Sequence, residues 1–263
     1  MDFSMGYTDQ QQAFRLEFRE WLAAHVPRIR GERDSEENYD VLRELGRQLG
    51  ARGWLYPAAP VNYGGSGMSR DSTVIIAEEL DAHGLGLPPF RDPGGVLAGQ
   101  CIVVWGTDEQ KRRILPRIIQ GEAVTSQLAT GPEGGSDFAA TTTTARRDGD
   151  EFVINGVKTW VQGSHPAEYL WTIARTGPEH ERHQNLSWFM IPGHLPGIRI
   201  SPMEVLDSGG LGGGQKNTVY LDDVRVSIDD LIGGLNNGWQ VAQTFLALKH
   251  GMSGTRPVRA DIL

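Results

Sequence analysis

The 263-residue chain carries 25 Lys+Arg against 33 Asp+Glu, a formal charge of −8 with His neutral, which argues against a general nucleic-acid binder. At 39% hydrophobic and 22% charged residues it falls among globular rather than disordered chains, and its length allows one large domain or two ordinary ones. Cys101 is the only cysteine, which excludes an intramolecular disulfide and a cysteine-based zinc cluster and fits a reducing, cytoplasmic setting. The start, MDFSMGYTDQQQAF, lacks a basic region followed by an apolar run, and no stretch approaches the ~20 apolar residues of a spanning helix. An untargeted protein without a membrane span is expected.

In chain order, Phe14, Phe18, Trp21 and Leu22 recur at helical spacing between Gln10 and Val26, and Pro27 closes the pattern. A second helix is predicted over residues 36–49, with Gly50 as a left-handed cap. Turn residues crowd 53–68, and helices resume over 72–82, 95–105 and 108–119. The last starts at Thr107, with Gln110 at capping-box spacing and acidic Asp108 and Glu109 where the helix dipole favours them. After Gly121 the texture becomes β. Thr141 to Thr144 and Phe152 to Ile154 are β-branched or apolar runs, with Asp148-Gly149 and Asn155-Gly156 as turn pairs flanking a strand. Further strands are expected over 169–174, 186–191, 198–202 and 217–221, and a final helix over 238–248.

Several familiar motifs fail. Neither the glycine run 209–214 nor Gly64-Gly65-Ser66-Gly67 has dinucleotide or P-loop spacing, and no serine stands in a Gly-x-Ser-x-Gly elbow. His180 and His183, within PEHERHQ, read as a solvated loop, so no metal is assigned. The informative block is QLATGPEGGSD at 127–137, a Gly- and Pro-rich turn at a strand exit that either presents backbone N–H groups to an anion or closes a plain hairpin. Trp160, in NGVKTW, either stacks on a planar cofactor or fills a core, and taken alone the core is favoured.

Taken in order, these pieces resemble the acyl-CoA dehydrogenase family of flavoproteins. The resemblance rests on Gly53-Trp54 with Tyr63-Gly64-Gly65-Ser66-Gly67, Ala77-Glu78-Glu79-Leu80 and Gly106-Thr107-Asp108-Glu109-Gln110-Lys111. It continues through Thr130-Gly131-Pro132-Glu133-Gly134-Gly135-Ser136-Asp137, Asn155-Gly156-Val157-Lys158-Thr159-Trp160 and Asp222-Asp223-Val224-Arg225-Val226. It implies an α+β fold: a helical N-terminal domain (1–122), a barrel-like β-sheet middle domain facing the flavin (123–228), and the first helix of a C-terminal helical domain (229–263). It also implies FAD as cofactor, an acyl-CoA thioester as substrate, α,β-dehydrogenation as the reaction, an electron-transferring flavoprotein as redox partner, and a homo- or hetero-oligomer. Carried over by position, Gln127, Ala129 and Thr130 would face the flavin ring, Gly135 and Ser136 would lie near cofactor or substrate phosphates, and Trp160 would stack beside the isoalloxazine. Ser136 and His250 would touch substrate.

The pattern also departs from the family's. The usual Thr-Glu-Pro is Thr130-Gly131-Pro132 here, Gln162 stands where many members have Ser or Thr near flavin N5, and Gln215 where Arg is frequent. An amide at 162 still donates a hydrogen bond. The rest of the C-terminal bundle, which normally carries the catalytic Glu, is not in the sequence. The alternative base position on the first helix is Lys249, and a lysine is protonated near neutral pH unless burial or a neighbouring charge intervenes. No catalytic base is therefore identified. Three readings follow: a fragment of an acyl-CoA dehydrogenase, a short subunit whose partner supplies the base, or a non-catalytic acyl-CoA-binding or interaction module. The apolar face of the 239–248 helix is expected to drive association.

Overall fold

The computed structural model describes residues 6–29, 36–85, 92–162, 167–204 and 216–249. They fall into two compact units, one within residues 1–91 and 119–121, the other within 92–118 and 122–262.

The first unit is helical: α1 (Asp9–His25), α2 (Glu36–Ala51) and α3 (Arg70–Ala82), with a single 3-10 turn at Val61–Tyr63. Thr8 and Gln11 form a reciprocal capping box at the start of α1. The apolar stripe of α1 delivers Phe18, Trp21 and Leu22 to the core, where the edges of Phe18 and Trp21 meet Trp54 at ring separations of 5.2 and 5.5 Å. Gly50 does not cap α2. The helix continues to Ala51, and the left-handed residue is Gly53, at φ +69°. Gly50 is required for a different reason: a Cβ there would lie 2.3 Å from the carbonyl oxygen of Gln120, so only glycine permits that backbone approach.

A charged contact holds α1 to α3. Glu79 is buried, and its carboxylate accepts from Arg15 Nη1 at 3.0 Å and from Arg19 through both Nε and Nη2 at 2.8 Å. Hydrogen bonding from Arg19 is the main cause that holds the Glu79 carboxyl below its ordinary 4.5, against the opposing effect of burial, with Arg15 adding to the lowering. A carboxyl with a lowered folded-state pKa stabilises the fold in full above its unfolded value and loses that contribution as pH falls through the folded one. Acid unfolding followed by circular dichroism should therefore begin below pH 4.5 in the wild type. Glu79→Gln should lower stability at neutral pH by about 2 kcal/mol and flatten that part of the acid slope. An unchanged slope would remove Glu79 from the account.

The second unit contains α4 (Pro93–Trp105), α5 (Asp108–Ile119), an eight-stranded mixed sheet and α6 (Gly238–Lys249). The strands are β1 (Thr125–Leu128), β2 (Thr144–Asp148), β3 (Glu151–Gln162), β4 (Tyr169–Arg175), β5 (Leu186–Pro192), β6 (Ile198–Pro202), β7 (Lys216–Ser227) and β8 (Leu231–Ile232). Their order is β6-β7-β3-β2-β4-β5-β8, with β1 joined in parallel to β4. Leu128, Ala145, Phe152, Ile154, Leu170, Phe189, Val219 and Leu221, drawn from six strands, share one core. β4 and β5 are buried on both faces, because their other sides carry Trp171 and Trp188, stacked at 4.6 Å, with Phe245 of α6 against Trp188 at 5.8 Å. That is why YLWTIA and LSWFMI read as continuous apolar runs instead of alternating ones.

The sequence places a turn at Asn155-Gly156, yet β3 runs straight through it. Opposite, β7 gains one residue where Ile154 and Gly156 face Val224 and Leu221, and Asp223 takes φ +49°. The Asn155 side chain serves this bulge, donating to Asp223 Oδ1 and accepting from Asp223 N, each at 2.9 Å. The run Thr141 to Thr143 is likewise not strand; β2 starts at Thr144, and Thr141 and Thr142 take up side-chain partners described below. The Asp148-Gly149 turn does join β2 to β3.

Helices α4 and α5 are tied to the sheet by polar contacts. Asp92 Oδ2 accepts from Thr125 N at 2.6 Å, and Gln110 donates to the carbonyls of Asp229 and Leu231 at 2.8 and 2.9 Å. Arg113 pairs with Asp230 at 2.7 Å, and Arg117 donates to the Tyr169 hydroxyl at 2.9 Å. The expected Thr107–Gln110 capping box is present. Cys101 is buried in α4 facing α6, and burial pushes its thiol up to about 12, which makes it unreactive. No helix among the described residues is long and apolar enough to cross a membrane, and no cluster of three potential ligands there is placed to hold a metal.

Candidate functional site

The candidate site lies where β1 ends beside β3. Gln127 and Leu128 stand opposite Trp171 and Thr172 of β4, and Ala129 continues the buried line. The Thr130 carbonyl then accepts from Thr159 N at 2.9 Å, which draws the β1 exit against β3. From there the chain turns tightly, Gly131 and Gly134 exchanging two backbone hydrogen bonds of 3.3 Å. Glu133 folds back so that its carboxylate accepts from Thr142 N at 2.7 Å and Thr142 Oγ1 at 3.0 Å. Gly135 and Ser136 form an exposed crest, and their N–H groups have no acceptor among the described residues. Asp137 holds the far side, accepting from Ala139 N at 3.1 Å and pairing with Arg182, while Phe138 meets Phe245 of α6 at 6.0 Å.

Trp160 is not a core residue. Between Lys158, opposite Val219, and Val161, opposite Asn217, β3 gains one residue, so Thr159 and Trp160 together face Thr218. The bulge sets Trp160 at φ +60° and leaves it 57% exposed. A bulky aromatic in the left-handed region, with most of its ring in water, carries two costs that packing does not explain. Gln162, two residues on, is exposed opposite Lys216.

Thr130 is thus tied to Thr159, the residue before Trp160, and also lies beside the crest, where a Cβ on Gly135 would touch Thr130 Cγ2 at 3.4 Å. Lys249 is the last residue of α6, and His250 and Gln215 lie outside the described residues. PEHERHQ is an exposed 3-10 segment, Glu179–Gln184, whose Arg182 braces Asp137 and whose His183 ring lies 4.2 Å from Trp239.

Lys158 is the residue that sequence reasoning left without a role. It is fully buried, its Nζ donating to Thr141 Oγ1 at 2.9 Å and to the Ala129 carbonyl at 3.5 Å. Burial pulls the ammonium down to about 7, and the charge of Glu133 opposes that pull. Glu133 is itself held below the ordinary carboxylate range: burial raises it, but hydrogen bonds led by Thr142 N, with the charge of Lys158, lower it by more.

An exposed ring beside polar backbone, followed by a crest of unengaged N–H groups, suits a planar aromatic carrying an anionic tail. The residues present therefore fit a flavin nucleotide.

Residues 8–122 match the acyl-CoA dehydrogenase N-terminal domain and residues 126–224 the acyl-CoA dehydrogenase middle domain. The chain is 32% identical to acyl-CoA dehydrogenase IpdE1 of Mycobacterium tuberculosis, over 92% of its own length and 63% of that protein's. Among solved structures, the ChsE4-ChsE5 complex from Mycobacterium tuberculosis is similar at 32% identity with a TM-score of 0.74, covering 94% of this chain and 61% of that one. The Tcur3481-Tcur3483 steroid ACAD is similar at 31% identity and a TM-score of 0.75, covering 95% and 63%. The chain thus spans about three-fifths of the length of these relatives.

Proposed function

The chain belongs to the acyl-CoA dehydrogenase family, whose cofactor is FAD, and from that premise we propose that it forms the flavin-facing part of a site that dehydrogenates an acyl-CoA thioester between its α and β carbons. The observation that carries this reading is Trp160, held exposed and strained beside the β1 exit. When bound, FAD supplies the two-electron acceptor that no side chain provides. The chain's own residues bind and orient. Trp160 offers a ring face for stacking, Gln127, Ala129 and Thr130 line the ring edge, and the Gln162 amide donates beside it. The N–H groups of Gly135 and Ser136 receive phosphate oxygens of cofactor or substrate, with the Ser136 hydroxyl a further donor.

Abstraction of a thioester α-proton needs a base of matched pKa and donors aimed at the developing enolate oxygen. The base comes from outside the described residues, either from further sequence of the same protein or from a partner chain. The likeness to ChsE4-ChsE5, solved as a complex, supports the partner, and the likeness to a steroid ACAD makes steroid-type thioesters worth testing beside straight-chain and branched ones. An electron-transferring flavoprotein is the proposed acceptor and the cytoplasm the proposed compartment.

The test is the visible absorption spectrum of the chain after addition of FAD and removal of the excess, repeated with each thioester. Retained flavin that bleaches with one thioester establishes a working site. Retained flavin that never bleaches favours a binding module that kept the scaffold without the chemistry. Absence of retained flavin, alone and with the completing segment or partner added, overturns the reading.

A further inference from the structure

Three facts about the β1 exit are unaccounted for by cofactor contact alone. A lysine is buried completely beneath it, with no carboxylate in direct contact among the described residues. The adjacent residue of β3, Thr159, donates its N–H to Thr130, so residues 158 and 159 hold two successive carbonyls, those of Ala129 and Thr130. The Glu133 carboxylate lies against residue 131, where a Cβ would stand 2.3 Å from Oε1. The space a side chain at 131 would enter is filled from 133.

We propose that Lys158 and Glu133 are positioning residues, a two-point clamp that fixes the backbone of 129–136 in the shape the flavin site needs, with the Glu133 carboxylate filling the space beside residue 131. This rests on the flavin reading above. Each charge is anchored on one of two consecutive threonines, Lys158 on Thr141 and Glu133 on Thr142, so the clamp joins β3, the β1 exit and the segment ahead of β2. Burying an ammonium is costly, and an apolar side chain of similar length would give an equally or more stable core. What the apolar chain would lose is the hold on the Ala129 carbonyl, and with it the alignment of the two carbonyls that set Trp160 beside the turn.

The experiment uses the full chain and two readouts: amide hydrogen exchange at Thr142 and Thr159 without FAD, and FAD affinity by absorbance titration, with Tm as a control. Glu133→Gln should accelerate both exchanges by about tenfold and weaken FAD about as much, with Tm nearly unchanged. Lys158→Met should do the same while keeping or raising Tm. Moving the carboxylate, in the double variant Gly131→Glu with Glu133→Gly, should restore protection and affinity, whereas Gly131→Gln with Glu133→Gly should not. Unchanged exchange in Glu133→Gln, or equal rescue by the amide and the carboxylate, would overturn the clamp by showing that packing rather than charge orders the turn. If Lys158→Met does not fold, the Glu133 series decides. If the wild type retains no FAD even with the completing segment or partner added, the flavin reading fails, and the exchange series still decides whether the clamp exists.

Discussion

Trp188→Ala should cost about 4 kcal/mol of stability, the largest loss expected of a single substitution in the sheet unit. Its indole is fully buried, stacked on Trp171 at 4.6 Å and set against Phe245 at 5.8 Å. Alanine leaves a cavity between two elements that are themselves rigid, so little of the lost contact is recovered by collapse. A second loss adds to the first. Trp188 Nε1 donates to the carbonyl of Gly238, the first residue of α6, at 3.0 Å, and that tie between β5 and α6 is lost, although the carbonyl keeps its bond within the helix. Trp188→Phe keeps a ring but not the donor and should recover roughly half the deficit. The midpoint of denaturant unfolding reads both variants, and hydrogen exchange along α6 should rise further in the alanine variant. A near-neutral Trp188→Ala would mean that α6 does not depend on the stacked pair.

Trp160→Gly should have the opposite profile. A non-glycine residue in the left-handed region costs about 1–2 kcal/mol, and glycine removes that cost. The ring contributes little packing in return, being 57% exposed. Stability of the cofactor-free chain is therefore expected to hold or to rise by about 1 kcal/mol. FAD affinity should fall by roughly 10- to 100-fold, the scale of one lost aromatic stacking surface. Trp160→Phe, which keeps a smaller face, should lie between. Denaturant unfolding and absorbance titration read the two quantities separately. A drop in stability comparable to that of Trp188→Ala would show that Trp160 is a packing residue and would withdraw it from the cofactor site.

The contrast between these two tryptophans also marks how far the sequence could be read. The helices and most strands were legible, because period and punctuation agreed, as in the helix over 108–119 with its capping box. The exposure of Trp160 is not legible from propensity, because it depends on a bulge that pairs two residues of β3 with one of β7. Lys158 was hidden by the assumed Asn155-Gly156 turn. Once β3 is continuous, Lys158 shares the inward side with Phe152 and Ile154, and its burial follows from strand alternation. Asn-Gly favours tight hairpins, whereas here the amide serves a bulge in a neighbouring strand some 68 residues away. The approach of the Glu133 carboxylate to Gly131 is likewise not legible, because only a folded-back turn brings position 133 over 131.

The way α4 is covered bears on how the protein is made. Cys101 Sγ meets the Val241 carbonyl across a sequence separation of 140, and Trp105 Nε1 donates to Thr244 Oγ1 across 139. At ~5–20 residues per second of synthesis, this strongly apolar helix emerges from the ribosome on the order of ten seconds before α6 exists to shield it. During that interval the nascent chain displays a greasy surface that its own later residues must claim. Translation speed between the two helices, and the chaperones that meet the chain there, then become determinants of yield that no property of the finished fold would betray.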